Sequence, residues 1–186
     1  YRFPSNSENG SFCNNYHYNP YFIDLLVLKN EGLLSAYDLK NYKYKDEDKV
    51  DYELLYFERF KILRKAYKKA KTLLEEEIKS FSQKNSYWID DYCLFMAIKD
   101  HFNGCSLSNW PMDIKSRETS AISHYKSLLK EDIEFYRFIQ YEFYKQLDSL
   151  TKYMKSKGIK LIGDLPIYVS LDSSDVWANT DQFLFA

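Results

Sequence analysis

The chain has 186 residues, enough for one domain with a sizeable core. Its 26 basic and 27 acidic residues nearly cancel, which argues against a nucleic-acid-binding surface and its usual basic excess. No apolar run approaches the ~20 residues needed to cross a bilayer, and no signal-peptide pattern opens the chain. The expected setting is therefore cytoplasmic, with neither nucleic acid nor membrane as partner. Tyr1, in place of an initiating methionine, reads as an arbitrary cut.

Residues 1–20 are rich in Asn, Ser and Tyr, lack any period, and read as an irregular, mostly exposed segment. Asn19-Pro20 is a turn signal, and Pro20 suits the first position of a helix. The apolar stretch Phe22 to Leu28 fits a strand or a short helix ended by Gly32. Ser35 with Asp38 three residues on is a capping-box pattern. "YKDEDKVDY" reads as a charged loop.

Residues 52–83 carry the clearest helical signal. Tyr56, Phe60, Leu63, Tyr67, Ala70, Leu74, Ile78 and Phe81 recur at steps of three and four, with mixed charges between them. One amphipathic helix with a solvated charged face is expected there. A second helix fits "YWIDDYCLFMAIKDHF", with Leu94, Phe95, Ile98 and Phe102 on one face and Asn103-Gly104 closing it. "NWPMDIKSR" begins as a turn. A third long helix is expected from about Lys130 to Lys157, stopped by Gly158.

Ile159 to Ile162 then predicts a short strand buried on both sides, which places the chain in the α/β class with a parallel sheet. Pro166 ends its ladder. Asp164 then stands at the strand's carboxyl end, where α/β folds gather ligands and chemistry. An aspartate after a strand is also a common turn former or helix N-cap, so position alone leaves both roles open.

The odd set Cys13, Cys93 and Cys105, without CxxC spacing, reads as free thiols in a reducing cytosol rather than a disulfide frame or zinc site. His17, His101 and His124 share no metal-ligand spacing. Of the 18 Tyr, 13 Phe and 3 Trp, most are expected to pack the core, leaving a minority as possible sugar-stacking platforms.

The segment "GDLPIYVSLDSSDVW", Gly163 to Trp177, resembles the signature of glycoside hydrolase family 77, the 4-alpha-glucanotransferases or amylomaltases. "NPYFIDL" with "EGLL", "YWIDDYCLFMAIKDHF" followed by Trp110-Pro111 and Arg117, and "IEFYRFIQYEFYKQL" resemble further family stretches in family order. One departure stands out. Where the family has Ser-Pro-Tyr-Gln and then Ser-Ala-Phe-Ala-Gly, this chain has "ENGSFCNNYHY". Ungapped counting puts Gly10 on the family's sugar-stacking tyrosine, Tyr16 on its phenylalanine and Tyr18 on its glycine. Phe12, Tyr16 and Tyr18 are either replacement stacking rings or plain packing aromatics.

The resemblance implies an incomplete (β/α)8 TIM-barrel fragment, predominantly helical, with a helical insertion between early barrel strands. In that frame residues 1–20 open the chain irregularly, 52–157 form the insertion, and 159–177 supply a barrel strand and active-site loop. A complete barrel takes about 250 residues. The implied reaction transfers an α-1,4-glucan segment between malto-oligosaccharides by retaining double displacement, without metal or organic cofactor. The family's nucleophile, acid/base and third carboxylate lie on later barrel strands, so no catalytic carboxylate is expected within these residues and the chain alone is expected to be inactive.

The family frame also assigns roles to residues. Asp164 matches an aspartate near the nucleophile and its arginine partner, and its implied role is to orient that pair. Tyr168, Asp172, Ser173, Asp175 and Trp177 follow as candidate substrate-binding residues, with Trp177 either stacking on a sugar or anchoring the loop from within. Asp90 and Asp91 are expected to make structural hydrogen bonds. Two other readings remain: a non-catalytic glucan-binding module, and a helical interaction protein whose amphipathic faces dock a partner.

Overall fold

The computed structural model of the protein describes residues 19–42, 52–160 and 169–183. Among these residues every regular element is helical and none is a strand. The opening is fixed by local capping. The Asn19 side chain accepts from the Tyr21 N–H at 2.9 Å, and Pro20 starts a 3-10 turn over Pro20–Phe22. Asp24 then caps α1 (Leu25–Asn30) by accepting from the Leu26 N–H at 2.8 Å. The stretch that fits either a strand or a helix is thus helical. Gly32, at φ +79°, turns the chain so that Leu33 and Leu34 donate back to the Leu28 carbonyl. Ser35 and Asp38 form the expected capping box of α2 (Ala36–Asn41): the Asp38 N–H reaches Ser35 Oγ at 3.2 Å, and the Ser35 N–H reaches Asp38 Oδ2 at 2.9 Å. The first 18 residues and most of the charged segment after α2 lie outside the described residues.

The single helix expected over 52–83 is two helices, α3 (Tyr52–Leu73) and α4 (Glu75–Lys84). Leu74 leaves helical geometry at φ −123°, and Glu75, Glu76 and Glu77 occupy the new first turn, where negative charge complements the helix dipole. Periodicity hides this break. Neither glycine nor proline marks it, and Leu63, Tyr67, Ala70 and Ile78 stay buried on both sides of it.

Helix α5 (Ile89–His101) departs further from expectation. In place of one apolar face it is enclosed nearly all round: Ile89, Tyr92, Cys93, Leu94, Phe95, Ala97, Ile98 and Lys99 are buried. Asn103 and Gly104 end it with φ of +53° and +75°, the left-handed pair that the sequence predicts. The stretch Asn109–Arg117, expected to begin as a turn, opens on the end of a 3-10 turn (Leu107–Asn109) and holds α6 (Met112–Lys115); α7 (Thr119–Leu128) follows it.

Helix α8 (Lys130–Ser156) is the longest element and packs against α3, α4, α5 and α7. Phe135, Phe138 and Ile139 are fully buried. Tyr67 meets Phe135 and Phe138 at 5.8 and 5.9 Å between ring centroids, and Phe60 meets Phe135 at 6.3 Å. Tilted and edge-on pairs of this kind add to the burial of large apolar area, so most of the aromatic side chains among the described residues sit in helix packing. Their polar tips are satisfied: Tyr136 donates to Asp100 Oδ2 at 2.6 Å, and Gln140 donates to the Tyr92 hydroxyl at 3.2 Å.

The lower part of α8 also fastens the opening helices. Gln146 Oε1 accepts from the Asp24 N–H at 2.7 Å. Lys145 Nζ lies 2.7 Å from Glu31 Oε2 and 3.4 Å from Glu142 Oε1, with Glu142 fully buried. Burial pushes the Glu142 carboxyl up to about 7, with Lys145 opposing and Glu31 adding to the rise.

Gly158, at φ +72°, stops α8 as expected. The Ile159 N–H donates to the Met154 carbonyl at 3.0 Å, so Ile159 still belongs to the helix cap. It is 52% exposed, and Lys160 is exposed too. The first half of the expected strand Ile159–Ile162 is therefore cap and coil. Leu161 and Ile162 lie outside the described residues, and the expected parallel sheet has no strand among those that are described.

Candidate functional site

The chain re-enters the described region at Val169 and turns back towards α5. The Asp172 N–H donates to Ser170 Oγ at 3.2 Å. The Asp172 carboxylate then joins two separate elements. Its Oδ2 pairs with the Lys99 ammonium of α5, and its Oδ1 accepts from the Leu107 N–H at 3.0 Å. The Lys99 side chain is 4% exposed and that of Asp172 13%. Removing an ammonium from water costs several kcal/mol unless it is closely paired, and Asp172 supplies the pairing. Lys99 Nζ also lies 5.6 Å from the Phe95 ring centroid, a favourable electrostatic contact.

Ser173 caps α9 (Ser174–Ala178), its side chain accepting from the Val176 N–H at 3.3 Å. Asp175 is half-buried in the first turn, and its backbone carbonyl accepts from the Asn179 N–H at 2.9 Å. Trp177, one turn on, is 0% exposed. Its indole N–H donates to the Ile114 carbonyl at 2.9 Å. Phe95 and Trp110 pack against its ring at 5.9 and 5.8 Å, and the Arg117 guanidinium lies over it at 4.3 Å. Of the two roles open to Trp177, the buried loop anchor is the one this geometry supports. No face of the ring is free to stack on a sugar.

Arg117 reaches Trp177 from an unusual backbone position, φ +59°, uncommon for a side chain other than glycine, asparagine or aspartate. Its Nη2 donates to Asp91 at 2.6 Å, and Arg137 donates to Asp90 at 2.7 Å. Both acids of the "DD" pair in α5 therefore make structural bonds. Trp110 donates to the Cys105 carbonyl at 3.1 Å. The result is a dry aromatic nest of Phe95, Trp110 and Trp177, sealed by Arg117 on one side and bordered by the Lys99–Asp172 pair.

Within the candidate set, the structure brings Asp172, Ser173, Asp175 and Trp177 together on one side of α5. Asp164 and Tyr168 lie outside the described residues. Asp172 and Ser173 spend their side-chain oxygens on holding the loop. Lys99 and Arg117 carry this arrangement; Arg117 stands in the sequence as part of the family resemblance with no role assigned to it, and Lys99 is not singled out there. The available signal is that Lys99, directly after the apolar run Cys93 to Ile98, falls four positions after Phe95 and three before Phe102 on their apolar face. Among the described residues no group of acidic, His or Cys side chains has the spacing of a metal site. Burial pushes the Cys93 thiol up, away from reactivity, and Cys105 is also a free cysteine.

The profile of glycoside hydrolase family 77, described as 4-alpha-glucanotransferase, matches residues 11–186. The 4-alpha-glucanotransferase of Clostridium butyricum is 44% identical over 167 residues, covering 89% of this chain and 34% of that protein. That of Streptococcus pneumoniae is 36% identical over 168 residues, covering 89% and 33%. Among solved structures, the amylomaltase from Streptococcus agalactiae in complex with acarbose superposes with a TM-score of 0.84 at 37% identity, covering 89% of this chain and 34% of that one. The chain thus spans about a third of the length of these relatives. By the extent and identity of these matches, the chain belongs to the 4-alpha-glucanotransferase family, glycoside hydrolase family 77.

Proposed function

We propose that this chain is the N-terminal part of the catalytic barrel of a 4-alpha-glucanotransferase that moves α-1,4-glucan segments between malto-oligosaccharides in the cytoplasm. The observation that carries this reading is the 0.84 superposition on an amylomaltase solved with acarbose, joined to the motif Gly163–Trp177. The reaction is a retaining double displacement. One carboxylate attacks the anomeric carbon, and a second carboxylic acid protonates the leaving oxygen. The same group, now a base, takes the proton from the incoming sugar hydroxyl. Neither step needs a metal or organic cofactor.

Both reacting carboxylates would come from polypeptide beyond these 186 residues. The share of this chain is support. Asp164 would orient the nucleophile and its arginine by charge and hydrogen bonding, and Tyr168 would face the sugar. Asp175, half-buried at the start of α9, remains a candidate for polar contact with the glucan. Asp172, Ser173 and Trp177 would act from behind, holding the loop through Lys99, Leu107, Val176 and Ile114. No helix among the described residues is long and apolar enough to cross a membrane.

The test is maltotriose disproportionation by the complete enzyme and by the 186-residue chain alone. The complete enzyme is expected to yield glucose and longer maltodextrins, and the chain alone is expected to yield none. Turnover by the chain alone would refute the division of labour. Retention of the isolated chain on a maltodextrin gel, with a complete enzyme that transfers nothing, would favour a non-catalytic glucan-binding module instead.

A further inference from the structure

We propose that Lys145 is a pH-operated clasp between α8 and the opening helix α1: it holds Glu31 while Glu142 is neutral, and turns to Glu142 once that acid is charged. The arrangement is one cation between two acids where two helices meet. Glu31 ends α1, and Glu142 stands one turn before Lys145 in α8. Lys145 Nζ lies 2.7 Å from Glu31 Oε2 and 3.4 Å from Glu142 Oε1, so the closer pairing is the one between helices. Water treats the two acids differently. The Glu31 side chain is 25% exposed, whereas that of Glu142 is 0% exposed and its Oε2 is buried without a hydrogen-bond partner. A hydrated carboxylate loses little when its cation leaves. A buried one needs a cation at hand to carry its charge. An ionised Glu142 therefore draws Lys145 to itself, and a side-chain rotation suffices because the two share one helix turn. The bond given up is the one that crosses to α1.

The surrounding elements supply no equivalent cation. Lys145 and Glu31 are the charges that act most strongly on Glu142. From α4, Glu77 adds a further negative charge beside Tyr141, whose ring lies 5.4 Å from Lys145 Nζ. From α5 comes Tyr92, bonded to Gln140. Lys69 of α3 is engaged with the Gly32 carbonyl at 3.3 Å. That bond, the Gln146 link to Asp24 and the burial of Leu25, Leu28 and Leu33 keep α1 seated. The clasp thus sets how often the segment opens locally, not whether it folds. Burial lifts the Glu142 carboxyl from 4.5 to about 7, so the clasp is closed in acid and releases as the pH rises through that value.

The test is hydrogen exchange of the complete protein, read by mass spectrometry in peptides spanning residues 23–34 at about pH 5.5 and 8.5 and corrected for intrinsic exchange. In the parent, protection is expected to be about fivefold lower at the higher pH, the equivalent of one partly exposed ion pair. Glu142→Gln is expected to keep the high protection at both, because Lys145 then has no second acid to turn to. Glu31→Gln is expected to show the low protection at both, because the bond across the helices is already gone. A parent without the fall, or a fall of equal size in either variant, would overturn the proposal. Should Glu142→Gln fail to fold, the parent and Glu31→Gln decide it alone: an equal fall in both overturns it. The readout involves no turnover, so its failure leaves the transferase reading untouched.

Discussion

Replacing Glu142 with glutamine is expected to stabilise the fold at alkaline pH and to change little under acid conditions. Glu142 and Glu31 share a single cation, Lys145. Glu31 takes the closer contact at 2.7 Å from a partly exposed position, while Glu142 is fully buried at 3.4 Å. Its second oxygen has no hydrogen-bond partner. Burial is the main cause that raises the carboxyl from 4.5 to about 7. For Lys145, burial works the other way, but its bond to Glu31 and the charge of Glu142 outweigh it and hold the ammonium above its usual range. The sign for Glu142 follows directly. Its pKa is higher folded than unfolded, so its stabilising contribution is complete below about pH 4.5 and is lost as the pH rises through 7. At about 1.4 kcal/mol per pH unit, the gap corresponds to about 3 kcal/mol. Urea unfolding of the chain, followed by far-UV circular dichroism at pH 5 and pH 8, reads the difference. Glu142→Gln should exceed the parent by about 2–3 kcal/mol at pH 8 and differ by less than about 1 kcal/mol at pH 5. A parent and variant with parallel pH dependence would refute the argument, because the charge on Glu142 would then be paired as well in the fold as in water.

The buried indole and the α2 cap give two simpler tests. Trp177→Ala should cost about 3–5 kcal/mol by opening a cavity between Phe95 and Trp110. Trp177→Phe, which keeps an aromatic ring but removes one of two donors to the Ile114 carbonyl, the other being the Arg117 N–H at 3.1 Å, should cost about 1 kcal/mol; both are read as shifts in urea midpoint. Ser35→Ala removes the side-chain half of the α2 capping box and should cost about 1 kcal/mol, seen as faster amide exchange at Asp38.

Features made within a few residues were readable in advance. The Ser35–Asp38 box, the Asn103-Gly104 ending and the Gly158 stop depend on side chains and backbone groups no more than five positions apart. The Leu74 break was not readable, because both helices keep one apolar stripe against α8 and no special residue marks the join. The enclosure of α5 was hidden for a related reason: periodicity reports the polarity of a helix's own sides and says nothing of how many neighbours surround it. Lys99 and Asp172 are 73 positions apart, and no local pattern connects them. Glu142 stood in view as an acid in the apolar row of Phe135, Ile139 and Phe143, an inconsistency that pointed to special chemistry without naming it. The strand expected at Ile159 misjudged where the helix lets go, since the cap still claims that residue's N–H.

Helix α5 is enclosed along Tyr92–Lys99, with only the end positions Asp90 and His101 exposed, and that restricts how the protein can drift. Exchanges along α4, whose outward positions are bathed in solvent, tolerate almost any polar residue. Along Tyr92–Lys99 each exchange must match volume and polarity at once, since a change there meets another helix or the aromatic nest. Mutational scanning should therefore reveal one intolerant block around its whole circumference, in contrast to the alternating tolerance of an ordinary surface helix.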